Sequence, residues 1–154
     1  MALEIAVNTA LRAGDIAKLG RQHVRNGVIV QRQGKTGGEP LQIPITADLQ
    51  AAFDATPCAS LTFLLNDDGR AFTAKALSNW FAKTARDAGL LPRRSLHGLR
   101  KAKCRRLPEA GCSENEIAAV SGHASLNEVA RYTKSANRAK LAKAAMAKVA
   151  AAGA

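Results

Sequence analysis

The apolar positions fall into two rhythms along the chain. Leu3, Val7 and Leu11 recur every four residues, which predicts that the chain opens inside a helix. Arg12-Ala13-Gly14-Asp15 interrupts that stripe, and Ile16 and Leu19 predict a second short helix ending near Gly20. The period then drops to two. Asn26-Gly27 is a hairpin turn signal between a short segment at Gln22–Arg25 and the β-branched run Val28-Ile29-Val30. Gly34-Lys35-Thr36-Gly37-Gly38 predicts a looser turn, after which Leu41, Ile43 and Ile45 alternate with Gln42 and Pro44 as a half-buried strand. Pro44 has no N–H for a ladder, so this third strand is expected at a sheet edge.

Helical spacing then returns. Leu49, Ala52 and Phe53 predict a short helix after Thr46, and Leu77, Trp80, Phe81, Thr84 and Ala88 an amphipathic one stopped by Gly89 and Pro92. A helix is predicted from His97 to about Ala110, its last turn kinked or shortened by Pro108. Ser113-Glu114-Asn115-Glu116 is a capping box that starts a helix ending at Gly122. A turn or two of helix should run from Ser125 through Tyr132, and the Ala- and Lys-rich tail from Asn137 to Ala152 is strongly helix-prone. The fold class is therefore α+β: mainly helical, with a small three-stranded antiparallel sheet. No internal repeat is visible.

Composition narrows the function. The 154 residues suit one domain, and with only 4% aromatics the core must come from Leu, Ile, Val and Ala. No run approaches the length of a membrane span, and Met1-Ala2-Leu3-Glu4-Ile5 lacks the basic start and apolar stretch of a signal peptide. Cys58, Cys104 and Cys112 show no C-x-x-C spacing, which argues against a disulfide framework or a zinc site and for a reducing cytoplasm. Lys and Arg number 23 against 12 Asp and Glu, a net charge of +11. That excess points to a polyanionic partner, with nucleic acid ahead of an anionic membrane surface or ribosome.

Several polar features carry possible chemistry. Gly34-Lys35-Thr36 is the tail of a phosphate-binding P-loop, but the glycine required five residues earlier is Ile29 and a strand follows where a helix is needed. A glycine-rich hairpin turn with an exposed lysine is the simpler account. His97 and Arg100 stand three residues apart, on one face of a helix, suited to grip a phosphodiester with a bidentate fork and a further hydrogen bond. Guanidinium cannot ligate a metal. Taken singly, this pair, Arg12, and the His123/Tyr132 pair all have ordinary structural readings as surface or half-buried residues.

Together they mean more. Arg12 in Leu11-Arg12-Ala13-Gly14-Asp15, Lys35 in a β-turn, His97-x-x-Arg100, Gly122-His123 and Arg131-Tyr132 occur in an order and spacing that resembles the catalytic domain of the tyrosine recombinases, the phage integrase family. The resemblance runs from about Leu3 to Met146. It implies the tyrosine recombinase catalytic fold and a site-specific recombinase or integrase that cleaves and rejoins DNA through a 3′-phosphotyrosyl intermediate, without metal, cofactor or ATP. It also implies roles: Arg12 and Arg100 clamp the phosphate, Tyr132 is the nucleophile, and Lys35 is the acid for the 5′-oxygen. His97 and His123 assist in proton handling, His97 in removing the tyrosine proton, and Asp15 orients Arg12 or its neighbours.

Elementary chemistry is consistent with those roles. Two guanidinium groups neutralise non-bridging oxygens and the extra charge of a five-coordinate transition state. A phenol with an ordinary pKa of about 10 needs a base or a cationic pocket. Lys18, Arg21, Arg25, Arg32, Arg93, Arg94, Lys101, Lys103 and Arg105 flank these positions and are the expected contacts to double-stranded DNA. Arg131, Thr133 and His23 match no catalytic position.

Three further expectations follow from the resemblance. Arg12 lies so near Met1 that the chain reads as one domain over 1–154, truncated ahead of it, lacking the N-terminal DNA-binding domain of the family. Residues 137–154 correspond to a C-terminal helix that packs on a neighbouring protomer or back in cis, with Leu141, Ala144, Ala145 and Val149 as an apolar seam. A DNA-binding remnant of a prophage integrase, or a topoisomerase forming a 3′-phosphotyrosine, are the rival accounts.

Overall fold

A computed structural model describes residues 1–34, 39–56, 58 and 60–152. Lys35 and its Gly-rich neighbours at 36–38 thus lie outside the described residues. Helices α1 (Ala2–Asn8) and α2 (Ala13–Lys18) open the chain, and a 3₁₀ turn at Arg21–His23 leads into the sheet. Strands β1 (Val24–Arg25), β2 (Val28–Gln31) and β3 (Leu41–Pro44) form it, followed by α3 (Ala47–Asp54) and α4 (Ala74–Asp87). Helices α5 (Leu96–Glu109), α6 (Glu114–Ser121) and α7 (Leu126–Ala152) complete the element order.

The sheet is antiparallel in the order β1-β2-β3, so Pro44 does sit on an edge strand, opposite Val28. Asn26 and Gly27 both take positive φ, as the β1–β2 hairpin requires. The first strand is shorter than the pattern suggested, because the His23 ring accepts the Gly20 amide at 3.1 Å and holds a helical turn there. Ile29, Leu41 and Ile43 point from the sheet into a core shared with Ile5, Leu11, Ile16, Leu19, Leu49 and Leu77. Phe53 stacks on Phe63 beneath α3 at 4.4 Å between ring centroids.

Two stripes are rotated from expectation. In α1 the inward residues are Ala2, Ile5 and Ala6, while Leu3 is half exposed. In α4 they are Leu77 and Ala85 with Phe81, while Trp80 is exposed and tilts against Phe72. Short helices pack on whichever side buries most apolar area, and a stripe of alternating sizes leaves that choice open.

Caps account for the helix ends. Ser113 and Glu116 form the expected reciprocal box, worth about 1 kcal/mol. Pro108 sits in the last turn of α5, which closes just beyond it: Gly111 N–H reaches Pro108 O, and Cys112 N–H reaches Leu107 O. That pattern satisfies the final carbonyls and aims the chain into α6. The two predicted C-terminal helices are one. Nothing between Tyr132 and Asn137 breaks a helix, so α7 runs 27 residues without a stop.

Candidate active site

The break between α1 and α2 makes the first site residue. Arg12 is the N-cap of α2 in extended backbone, which turns its side chain away from the helix and leaves it half buried. Arg100 comes from the first turns of α5, where packing against α1 leaves it only 6% exposed. One Arg100 nitrogen, Nη1, donates to the Ala10 carbonyl beside Arg12, and Nη2 stands 3.2 Å from His123 Nε2.

A cleft of about 370 Å³ brings Arg12, His97, Arg100 and His123 together, with Ser78 and Glu128 on its wall. His97 is exposed on its rim. Tyr132 is half buried on α7, its ring centroid 6.0 Å from that of His123. Four segments distant in sequence thus converge on one surface. Lys35 lies outside the described residues, directly after Gly34, which borders a neighbouring cleft of about 600 Å³ together with Arg12, Asp15 and Lys18.

Charge is concentrated where water is scarce. Burial and the nearby Arg12 guanidinium lower the pKa of Arg100, although an arginine remains cationic at neutral pH. His123 is likewise lowered, by burial first and then by Arg100, with Glu128 opposing. Burial raises the Tyr132 phenol, Cys104 adds to that, and Arg100 and Arg105 pull against it. Two guanidiniums, a neutral imidazole and a protonated phenol make a cleft suited to an anion.

Asp15 reaches the sheet from α2. Its Oδ1 accepts the Gly34 amide at 3.1 Å, which ties the carboxylate to the base of the β2–β3 turn rather than to Arg12. Oδ2 is buried without a hydrogen-bond partner among the described residues. Arg12 Nη1 instead donates to Gln33 Oε1, while Gln33 Nε2 donates to the Ser121 carbonyl at 3.1 Å. Gln33, Ser121 and Glu128 carry no sequence signal of their own, since their significance lies in contacts between segments up to 88 residues apart.

Most of the expected DNA-facing cations are exposed: Lys18, Arg25, Arg32, Arg93, Arg94, Lys101 and Arg105, with Lys103 half buried. Arg21, exposed as well, is tied down by contacts within the chain. It donates to the Phe53 and Thr56 carbonyls and lies over the Phe63 ring. Thr133, next to Tyr132, is buried and donates to Glu114 Oε1 at 2.6 Å, fixing the roll of α7 on α6. Among the described residues no helix is long and apolar enough to cross a membrane.

Solved structures share this fold. The Tn1549 transposon integrase in complex with transposon right end DNA superposes with a TM-score of 0.73 at 20% identity, over 94% of this chain and 58% of that one. XerA recombinase gives 0.72 at 19% identity, over 91% and 56%. A lambda integrase dimer bound to a COC′ core site gives 0.67 at 22%, over 86% and 50%. The fold is that of the tyrosine recombinases, and this chain spans roughly half to three fifths of those proteins' lengths. Residues 1–138 match the phage integrase family, and the chain belongs to it. A comparison with curated proteins finds none that matches.

Proposed function

We propose that this chain is the catalytic unit of a site-specific DNA recombinase of the integrase type, cleaving and rejoining DNA through a covalent link to Tyr132. The observation that carries this is the convergence of Arg12, Arg100 and His123 on one cleft beside the chain's single tyrosine. The solved relatives bound to DNA support double-stranded DNA as the partner.

Arg12 and Arg100 hold the non-bridging oxygens of the scissile phosphate and stabilise the charge that builds on them during attack. Tyr132 Oη forms the bond to phosphorus as the bond to the 5′-oxygen breaks, and Lys35 protonates that leaving oxygen. His97 and His123 assist by hydrogen bonding and proton handling. The phosphotyrosyl link keeps the energy of the broken phosphodiester, so the reaction reverses onto a new strand without ATP. Asp15, bonded to Gly34, steadies the stem that carries Lys35. The exposed cations hold the duplex backbone, a contact that positions without reading sequence.

The outer half of α7 supports a second copy of the chain as a partner. Leu141, Met146 and Val149 are about two-thirds exposed there.

The test of the activity is incubation with a nicked duplex in excess chelator, followed by denaturing electrophoresis. A protein–DNA adduct retaining the strand on the 3′-phosphate side is expected. Binding without an adduct would make the chain a DNA-binding module instead.

A further inference from the structure

The hydrogen bonds around His123 determine where its proton sits. Ser121 is fully buried, and its hydroxyl donates to the Ile117 carbonyl at 2.6 Å. A hydroxyl has one proton, so toward His123 Nδ1, 2.6 Å away, Ser121 Oγ acts as acceptor and Nδ1 carries the hydrogen. On the ring's other edge stands Arg100 Nη2, 3.2 Å from Nε2. Guanidinium has donors and no lone pair, so Nε2 must accept. Both edges demand the same tautomer.

We propose that Ser121 is a positioning residue that fixes His123 as the neutral Nδ1–H tautomer, its Nε2 lone pair held beside Arg100 as the proton acceptor for Tyr132. The acceptor role rests on the function proposed above; the tautomer does not.

The groups facing the imidazole explain why it waits neutral. Arg100 from α5 and Arg12 from the α2 N-cap present two cations, against Glu128 from α7, with the Tyr132 phenol on the same helix. A proton on Nε2 would set a third cation against two guanidiniums. A bound phosphodiester offsets that repulsion, so proton transfer is coupled to the presence of DNA. In the step itself, Arg100 Nη2 turns from Nε2 to the phosphate, and the Tyr132 proton moves to the freed Nε2 as Oη bonds to phosphorus. The 5′-oxygen leaves with a proton from Lys35, and the new imidazolium donates to a non-bridging oxygen. His97, expected for this role, is exposed and its ring makes no hydrogen bond among the described residues, whereas His123 lies against the tyrosine ring.

Residue 121 also serves the other arginine. Its carbonyl accepts Gln33 Nε2, and Gln33 Oε1 accepts Arg12 Nη1, so one turn of chain holds contacts leading to both guanidiniums.

Long-range ¹H–¹⁵N correlation spectra of the ligand-free chain near neutral pH read the tautomer directly, with His123 assigned through His123→Gln. The expected result is a protonated Nδ1 and bare Nε2 in the wild type and in Ser121→Thr, and a mixture in Ser121→Ala. A wild-type ring protonated on Nε2 overturns the proposal, as does a pure Nδ1–H form in folded Ser121→Ala. If Ser121→Ala does not fold, the wild-type spectrum still decides. On nicked duplex, Ser121→Ala should slow adduct formation about 10-fold, a part of the roughly 100-fold that a positioned base contributes. DNA affinity should be unchanged and Ser121→Thr should restore the rate; an unaltered rate in Ser121→Ala would contradict the acceptor role. If the wild type forms no adduct at all, the recombinase function falls while the spectra still decide what Ser121 does.

Discussion

Gly122 shows how one residue serves both backbone and site. It ends α6 in the left-handed region at φ 64°, and an added Cβ would lie 2.4 Å from Gln33 Oε1. Gly122→Ala should therefore cost about 1–2 kcal/mol, a Tm drop of roughly 3–8 °C in a thermal melt. Gln33 is flexible enough to yield, but yielding takes it away from Arg12. Adduct formation should fall by more than the lost stability explains. Tyr132 gives a second prediction, since as the single tyrosine it is the sole source of tyrosinate absorbance. Its ionisation should be seen above the ordinary 10.0, because burial holds the proton on the folded chain. The stability this group contributes is then full below 10.0 and lost as pH rises through the folded value. Arg100→Gln should move the ionisation higher still; a midpoint at or below 10.0 in the folded wild type would contradict the burial described. Tyr132, both arginines and both cleft histidines were legible because each belongs to a motif with fixed spacing. Gln33, Ser121 and Glu128 were not, since a glutamine two residues before a lysine has no meaning until α6 is folded over it.

At the scale of elements, the capping box, the helix stop at Gly122 and the proline on the edge strand were all readable, because each is a local rule carried by one or two residues. The facing of α1 and α4 and the continuity of α7 were not. A seven-residue helix offers too few positions to fix its roll, and tertiary packing chose Ile5 over Leu3. Helix α7 is about 40 Å long at 1.5 Å per residue, and among its described side chains the buried ones, Val129 and Thr133, lie in its first third. The family match also stops at residue 138. Removing residues 140–154 should leave Tm within about 3 °C, the size of shift that 1 kcal/mol produces in a chain of this length. Helical circular dichroism should drop, and the proposed self-association, read as a concentration-dependent mass, should be lost. A large fall in Tm would mean that the outer half of α7 packs back on its own chain.

For the whole molecule, the net charge of +11 and the exposed cations predict how the proposed DNA partner would be held. If six to ten phosphates are neutralised, affinity should fall about 10³- to 10⁵-fold between 50 and 200 mM salt. A flat dependence measured by fluorescence anisotropy would remove the backbone from the interface. Substituting Arg21, already committed to Phe53, Thr56 and the Phe63 ring, should change stability more than the salt slope. Net charge alone identified a polyanion. Convergence of four distant segments on one cleft supplies the chemistry, and only the folded chain displays it.

In the proposed reaction Tyr132 attacks the phosphate that Arg12 and Arg100 hold. That attack is tested most directly by comparing wild type with Tyr132→Phe on the same nicked duplex under denaturing electrophoresis. Wild type should give a covalent adduct, and Tyr132→Phe none, with DNA affinity retained. An adduct that persists in Tyr132→Phe would contradict the account, because the chain has no other tyrosine to carry it.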